Sequence, residues 1–321
     1  MARLKAAVAF YRSLVFADNT KRTYISQLKR FTDFCTSANI SLPLDKNEVC
    51  LYVAYLAETL SYKSITKYLN VVRLIHLEAD LPNPLKSWHI ESLLKGVKRA
   101  KGDISVQKLP ITPQILLAVK SVLHLKKPAD MVFWAACLVA FFGLLRKANL
   151  LPPSVSGFNN EQHLSRGNLS LCTSGFVLTI RWSKTIQFKD RLHQIALPLI
   201  PGHPLCPVSA LIAVLLLNPT LPSHTPLFSF PTPCGLQLLT QSSFVTKLRD
   251  SLSHLTLPAD KFSGHSFRRG GATWLLSVGM PGEYVKKIGD WKSQAYTLYI
   301  SAPISTKFHL LKTCSSTLPT Y

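Results

Sequence analysis

A short segment near the C-terminus combines side chains whose types and spacing suit chemistry on a phosphodiester. His265 and Arg268 are three residues apart, so on a helix they share one face. A guanidinium can bind phosphate oxygens through its fork of donors, and the indole N–H of Trp291 can donate one more hydrogen bond. The phenol of Tyr296 or Tyr299, one or two turns later, can attack phosphorus and form a covalent intermediate. Together these residue types predict a strand-cleaving site that uses no metal ion.

The charge of the chain indicates a polyanionic partner. Its 321 residues include 37 Lys and Arg against 16 Asp and Glu, which gives a formal net charge of +21 and a pI near 9.8. Such an excess favours nucleic acid over a membrane surface. Hydrophobic residues make up 47% of the chain, which is enough for globular cores, and the length suggests two domains.

The cysteines and the apolar segments argue against several other classes of protein. Seven Cys are scattered without a C-x-x-C pair or a histidine spacing suited to zinc, which favours reduced thiols in an intracellular protein. The apolar start of the chain is interrupted by Arg12, so a secretory signal is not expected. The longest apolar run, residues 131–145, is shorter than a membrane span and is typical of a buried core helix.

Helical periodicity dominates the first part of the chain. Apolar residues recur at helical spacing after Thr20, Asn47 and Ser64, which predicts a bundle of four or five helices within residues 1–106. Residues 95–113 break this periodicity with two glycines and two prolines and are strongly basic. We interpret them as an interdomain linker that either contacts a DNA backbone or forms a solvated tether.

The remaining residues, 107–321, predict a second domain of mixed structure. Helices are expected around His265 and in four further segments, residues 114–123, 130–146, 208–217 and 242–252. Residues 176–182 alternate like a strand, and residues 192–199 suit its hairpin partner, with Lys184 in the loop between them. Two proline-containing segments are expected to be loops, residues 201–207 and 221–233.

Five short motifs follow one another along this second part. They are Phe142-Gly143-Leu144-Leu145-Arg146, Trp182-Ser183-Lys184-Thr185, His265-Ser266-Phe267-Arg268, Gly289-Asp290-Trp291 and Tyr299. Their order and spacing resemble the active-site set of the tyrosine recombinases, also called the phage integrase family. The resemblance implies a mainly α fold with a small β-sheet, in which residues 107–321 form the catalytic domain. Residues 1–106 resemble the helical, SAM-like core-binding domain that clamps DNA from the opposite side.

The resemblance assigns the phosphate to three residues. Arg146 and Arg268 would hold the non-bridging oxygens of the scissile phosphate and stabilise charge in the transition state. Trp291 occupies the position that donates a hydrogen bond to the phosphate. No metal or nucleotide cofactor is implied.

The resemblance assigns proton transfer and nucleophilic attack to three other residues. Lys184 matches the lysine that protonates the leaving 5′ oxygen, and His265 matches the residue that assists proton transfer at the nucleophile. Tyr299 would attack, giving a 3′-phosphotyrosyl bond and a free 5′ hydroxyl. Tyr296 lies one turn earlier on the same face and stays an alternative nucleophile.

The chain departs from the family pattern at three points. Asn149 stands three residues after the first arginine, where the family often has an acid, so an orienting carboxylate is missing or comes from elsewhere. The spacing from Trp291 to Tyr299 is eight rather than the frequent nine. Asp290 adds an acid next to the expected phosphate, where it is unfavourable unless it points away.

These observations predict a DNA site-specific recombinase or integrase of a mobile element that acts on double-stranded DNA as a dimer to tetramer. Gly-x-Trp-x-Ser and Ser-Lys-Thr look most like recombinases of eukaryotic mobile elements of the DIRS and Crypton kind, from which we infer the nucleus as its location. The tail, residues 302–321, is expected to pack on a neighbouring protomer or on its own domain.

Other functions remain open or are disfavoured. A domesticated DNA-binding protein that has lost cleavage, or a type IB topoisomerase-like DNA-relaxing enzyme, would share the motifs. A metal-dependent DDE transposase or nuclease needs clustered carboxylates, and the acidic residues of the second part show no such grouping.

Overall fold

The computed structural model describes residues 1–103, 107–186 and 191–299, except for the side chains of residues 295, 298 and 299. The chain divides into two compact units, Met1–Val106 and Gln107–Tyr321. Helices dominate both, and the second unit adds a small three-stranded antiparallel sheet and a two-stranded one, which confirms the predicted fold class.

The first unit is helical, and all of its α-helices except the first share one apolar core. Its helices are α1 (Ala2–Ser13), α2 (Asp18–Ser37), α3 (Lys46–Thr59), α4 (Tyr62–Glu78) and α5 (Trp88–Lys101). α3 begins after Asp45, whose side chain accepts from the backbone N–H groups of Asn47 and Glu48 in a capping box. The core includes Phe31 and Tyr52, which pack edge to face at 5.1 Å between ring centres.

The segment predicted to be a linker, residues 95–113, is helical in its first part. α5 continues to Lys101, and Gly102 ends it with a φ of 71°, which glycine adopts without strain. The prediction was wrong for Lys98, which lies on this helix. The prediction treated Gly96 as a break in the helix. A glycine inside a helix costs only about 1 kcal/mol, however, and does not by itself end one.

The second unit alternates helices with two small sheets. Its elements are α6 (Pro113–Ser121), α7 (Pro128–Phe142), α8 (Lys147–Leu150), β1 (Leu169–Cys172), β2 (Gly175–Ile180), β3 (His193–Pro198), α9 (Pro207–Leu216), β4 (Ser229–Thr232), β5 (Gly235–Leu238), α10 (Gln241–His254), α11 (Gly264–Ser277) and α12 (Gly282–Ile288). A 3₁₀ helix, Gln294–Tyr299, follows.

α7 is the central helix of the second unit. The apolar run of residues 131–145 forms most of it, and nearly all side chains of this run are buried, with α9, α11 and β4 packed against the helix. The helix ends at Phe142 rather than at residue 146, because Gly143 and Leu144 turn the chain out of the helix. In the described part of the chain, no helix combines the length and the apolar character of a membrane span.

The β2–β3 hairpin forms as predicted, with Ile180 opposite His193. β1 pairs with β2 as a third strand, and it escaped prediction because it is only four residues long and mostly exposed. The prediction that residues 221–233 form a loop was wrong in its last part, because these residues contain β4, which pairs with β5. Pro231 lies inside β4, and proline in a sequence argues against a strand.

Candidate active site

Two adjacent glycines let α11 lie directly against the backbone of its neighbours. A Cβ at Gly270 would stand 1.7 Å from the carbonyl oxygen of Ile111, and one at Gly271 would stand 2.3 Å from that of Phe141. Only glycine permits such an approach. Arg268 lies within one turn of this contact and is therefore held beside the C-terminal end of α7.

The end of α7 is a tight turn that leads into Arg146. Leu144 has a φ of 49°, and the N–H of Leu145 donates to the carbonyl of Ala140 at 3.0 Å, which is the Schellman pattern. A non-glycine residue in this left-handed conformation costs about 1–2 kcal/mol. Arg146 follows in an extended conformation at the N-cap of α8, so the prediction that it ends the long helix was wrong.

The end of α12 repeats this motif. Asp290 has a φ of 53°, and the N–H of Trp291 donates to the carbonyl of Lys286 at 3.1 Å. Aspartate tolerates the left-handed region better than most residues. A Cβ at Gly289 would stand 1.7 Å from the Trp291 ring, so glycine is needed for the ring to lie back over the helix end.

Arg268 joins these two helix ends. Its Nη1 donates to the carbonyl of Leu144 at 2.5 Å and its Nη2 donates to that of Gly289 at 2.7 Å. The guanidinium carbon lies 3.7 Å from the centre of the Trp291 ring, and the side chain is 2% exposed. Both helix C-termini carry partial negative charge, which offsets part of the cost of burying this cation.

His265 lies among three arginines. It is at the start of α11, where its backbone N–H donates to the side chain of Ser263 at 3.3 Å. Loss of hydration, followed by the positive charges of Arg268, Arg146 and Arg269, lowers the pKa of His265 below its ordinary value. The residue nevertheless retains solvent access. Burial and the neighbouring cations therefore favour the neutral imidazole, which takes up a proton only against their charge.

Lys184 is exposed in the turn between β2 and β3, as predicted. Within this turn the backbone N–H of Thr185 donates to the hydroxyl of Ser183 at 3.1 Å. The Nδ2 of Asn149 donates to the carbonyl of Trp182 at 3.3 Å. The buried amide of Asn149 therefore has a structural partner in the hairpin rather than a charge.

Asp290 turns its carboxylate toward the same hairpin. The hydroxyl of Thr185 donates to Oδ2, and Nη2 of Arg191 donates to Oδ1 at 2.5 Å. Burial alone would raise the pKa of Asp290, but these hydrogen bonds and the charge of Arg191 hold it below its ordinary value. The carboxylate thus has partners on both oxygens.

His193 is a site residue that the sequence did not reveal. Its Nε2 lies 3.0 Å from the carbonyl oxygen of Ile288, the last residue of α12, so that nitrogen donates the hydrogen bond. Burial lowers the pKa of His193, and the charge of Asp290 partly opposes this shift. No spacing signal marks the contact, because the two residues are 95 positions apart.

The pocket between these residues is small and polar. It has a volume of about 10 Å³, room for one water molecule at most, and is lined among others by Arg146, Asn149, Ser183, Arg268 and Asp290. A phosphate is too large to enter it and can bind only at the surface above it. Across the described residues, no group of three or more His, Cys, Asp or Glu is arranged to hold a metal ion.

The two tyrosines differ in their setting. Tyr296 is 8% exposed and packs in a cluster with Leu144, Val285 and Trp291. A Cβ at Gly282 would stand 3.0 Å from the Tyr296 ring, which indicates close packing on that side as well. This burial argues against Tyr296 as a nucleophile. Tyr299 is the last residue of the 3₁₀ helix, and its side chain lies outside the described residues, as does the tail at residues 302–321.

Comparison with solved structures shows which fold this is. The chain resembles the Tn1549 transposon integrase in complex with circular intermediate DNA at 14% identity and a TM-score of 0.55, over 95% of this chain and 97% of that one. It resembles the XerH site-specific recombinase bound to palindromic difH substrate in a post-cleavage complex at 17% identity and a TM-score of 0.62, over 92% and 78% of the two chains.

A lambda integrase dimer bound to a COC′ core site is similar at 13% identity and a TM-score of 0.55, over 92% of this chain and 75% of that one. The chain therefore has the fold of the tyrosine recombinases and integrases. No family model and no curated protein matches the sequence.

Proposed function

We propose that the protein is a DNA site-specific recombinase or integrase that cleaves and rejoins strands through a 3′-phosphotyrosyl intermediate. The observation that carries this proposal is the convergence of Arg146, His265, Arg268 and Trp291 at the ends of α7 and α12, on a fold shared with DNA-bound recombinases. Asp290, an acid that lines the pocket beside these residues, is turned to Thr185 and Arg191, so its charge is directed away from this surface.

The proposed reaction is a phosphoryl transfer without a metal. The phenolic oxygen of Tyr299 attacks phosphorus, the bond from phosphorus to the 5′ oxygen breaks, and the DNA stays joined to the enzyme by its 3′ phosphate. The phenol proton passes to His265, whose lowered pKa keeps the imidazole mostly neutral at pH 7. The leaving 5′ oxygen takes a proton from Lys184. Attack by another 5′ hydroxyl reverses these steps and rejoins the strands.

Arg146 and Arg268 have different parts in this site. Arg268 is buried and fixed by two carbonyls, so its guanidinium is already oriented before DNA binds. Arg146 is half-buried, sits at the N-cap of a short helix and supplies the second cation to the phosphate. Fixed cations aimed at the non-bridging oxygens stabilise the charge that develops in the transition state.

Double-stranded DNA is the proposed partner, together with other protomers on paired sites. The net charge of +21 supports binding to a polyanion, and the lambda integrase structure is of a dimer on DNA. We place the protein among the enzymes of mobile elements, and the Gly289-Asp290-Trp291-Lys292-Ser293 motif supports the finer proposal of a eukaryotic element of the DIRS and Crypton kind acting in the nucleus.

The proposal is tested by comparing cleavage with binding. Arg146→Ala and Arg268→Ala are assayed at low salt against a library of nicked duplexes, with Arg249→Ala, an exposed arginine on α10, as a control that removes the same charge. We expect cleavage to fall by about 10²–10³ for the two site variants and to stay near wild type for Arg249→Ala.

DNA binding should change little in all three variants. Cleavage that does not depend on Arg146 or Arg268 would reject the proposed site. Binding without any cleavage, in the wild type too, would favour the domesticated DNA-binding protein. Relaxation of supercoiled DNA without strand exchange would favour the topoisomerase-like alternative.

A further inference from the structure

The proposed proton donor is tethered on both sides. The carbonyl of Trp182, two residues before Lys184, accepts a hydrogen bond from Asn149, and the hydroxyl of Thr185, the residue after it, donates to Asp290. Lys184 itself is exposed. Its backbone is thus held at two points while its ammonium group extends into solvent.

The other end of each tether lies next to a phosphate-binding residue. Asn149 is in α8, the short helix that begins directly after Arg146. Asp290 lies between Trp291 and Gly289, whose carbonyl binds Arg268. Two of the three departures from the family pattern, Asn149 and Asp290, are therefore residues that connect the hairpin to the phosphate-binding segments.

Asp290 holds the hairpin more firmly than Asn149. Its carboxylate accepts from Thr185 on one oxygen and from Arg191 on the other, so it contacts the loop near both of its ends. Hydrogen bonds to an ionised carboxylate are shorter and stronger than neutral ones. Asp290 has a left-handed backbone conformation, and its carboxylate reaches the loop at Thr185 and Arg191.

We propose that Asp290 is a positioning residue for the proton donor: through Thr185 and Arg191 it holds the β2–β3 loop so that Lys184 faces the leaving 5′ oxygen. This inference rests on the proposed function. It also explains how an acid can lie beside a phosphate site, because the charge of Asp290 is directed at Arg191. The orienting carboxylate that position 149 lacks is supplied from position 290.

The experiment separates positioning of Lys184 from every other effect by changing the leaving group. One substrate carries the normal phosphodiester, and the other carries sulfur in place of the bridging 5′ oxygen. Oxygen leaves only with a proton from Lys184, whereas sulfur leaves as a thiolate, which is stable without a proton. A variant that only misplaces Lys184 is therefore slow on oxygen and normal on sulfur.

Two substitutions remove the tether without straining the backbone. Asp290→Gly keeps the left-handed φ accessible, and Thr185→Val keeps the shape of the side chain while removing the hydroxyl. We expect single-turnover cleavage of the oxygen substrate to fall by about tenfold or more in both. On the sulfur substrate, each variant should cleave within about twofold of wild type, as should Lys184→Ala.

Two control variants show what no effect and a general loss of cleavage look like in this assay. Thr179→Val makes the same substitution in β2, on the same hairpin but away from Asp290, and should cleave both substrates like wild type. Arg268→Ala should be slow on both substrates, because its loss affects the phosphate rather than the leaving group.

The inference is overturned if Asp290→Gly and Thr185→Val stay slow on sulfur while Lys184→Ala recovers, or if they cleave the oxygen substrate normally. Failure of Lys184→Ala to recover on sulfur, or absence of wild-type cleavage, would instead reject the proposed roles in the reaction. Hydrogen exchange of the amides at Ser183 to Ile186 gives an independent readout: it should be faster in Thr185→Val than in Thr179→Val, and equal rates would contradict the tether.

Discussion

The guanidinium of Arg268 lies over the ring of Trp291, with 3.7 Å between the guanidinium carbon and the ring centre. The same guanidinium donates to the carbonyl of Gly289, two residues before that ring, and to the carbonyl of Leu144, at the end of a different helix. Arg268 is thus a structural residue as well as a candidate phosphate ligand. Its structural contribution can be measured as folding stability, and its proposed contact with phosphate can be measured as cleavage.

Replacing Arg268 should reduce stability much more than replacing Arg146. Arg268→Ala leaves two buried carbonyls without their donor, and each such group costs about 1–3 kcal/mol, so we expect the unfolding free energy to fall by about 2–6 kcal/mol. Arg146→Ala, at a half-buried position, should cost less than about 1 kcal/mol. Denaturant unfolding of the two variants measures the difference, and equal losses would contradict the bridging role of Arg268.

A methyl group at Gly270 should disrupt the packing of α11. The new Cβ would meet the carbonyl oxygen of Ile111 at 1.7 Å, so the helix must shift, and overpacking of this kind costs about 1–3 kcal/mol or more. Gly96→Ala is the matched control, because its Cβ meets nothing within 4 Å on α5 and should stabilise that helix by about 0.5–1 kcal/mol. Thermal unfolding followed by circular dichroism should give shifts of opposite sign.

The titration of His265 should report the arginines around it. In the free protein its pKa should lie below the ordinary histidine value, and Arg146→Ala should raise it by removing one of the charges that lower it. His163, whose pKa is lowered mainly by burial, should not move in this variant. NMR titration of labelled imidazoles measures both. A His265 midpoint that is unchanged in Arg146→Ala would show that the two side chains do not interact.

Stability should fall as the medium becomes acidic, partly through His193. Burial lowers its pKa in the folded protein, so below about pH 6.5 the unfolded chain takes up a proton that the native state resists. The contribution of neutral His193 to folding stability is therefore fully present above that pH. It is lost as the pH decreases through the pKa that His193 has in the folded protein. His193→Gln should lose less stability than wild type between pH 7 and pH 5 in denaturant unfolding, and an identical pH dependence would contradict this.

The sequence predicted which side chains lie near one another better than it predicted the path of the chain between them. The spacing of three between Arg268 and His265 indicates one helix face, and both residues lie on α11, so their proximity could be predicted without a structure. The buried run that became α7 was equally clear. The end of that helix could not be predicted. Leu144 adopts a left-handed conformation that leucine rarely takes and that only tertiary contacts can impose.

Contacts between distant segments were beyond sequence reasoning. From the sequence, Asp290 was expected to be unfavourable beside a phosphate, because its partners, Thr185 and Arg191, lie 105 and 99 residues away. The contact of His193 with α12 and the pairing of β4 with β5 depend in the same way on how the chain folds back. Local propensity carries no information on such pairs, which form only in the folded domain.

Covalent capture of DNA tests the central claim most directly. The protein is incubated with nicked duplexes and denatured, and the peptide that carries DNA is mapped by mass spectrometry, with Tyr299→Phe and Tyr296→Phe in parallel. We expect the adduct on Tyr299, its loss in Tyr299→Phe, and its retention in Tyr296→Phe, because Tyr296 is buried against Trp291. An adduct on Tyr296 would contradict the assigned nucleophile, and DNA binding with no adduct at all on any substrate would contradict the proposed reaction.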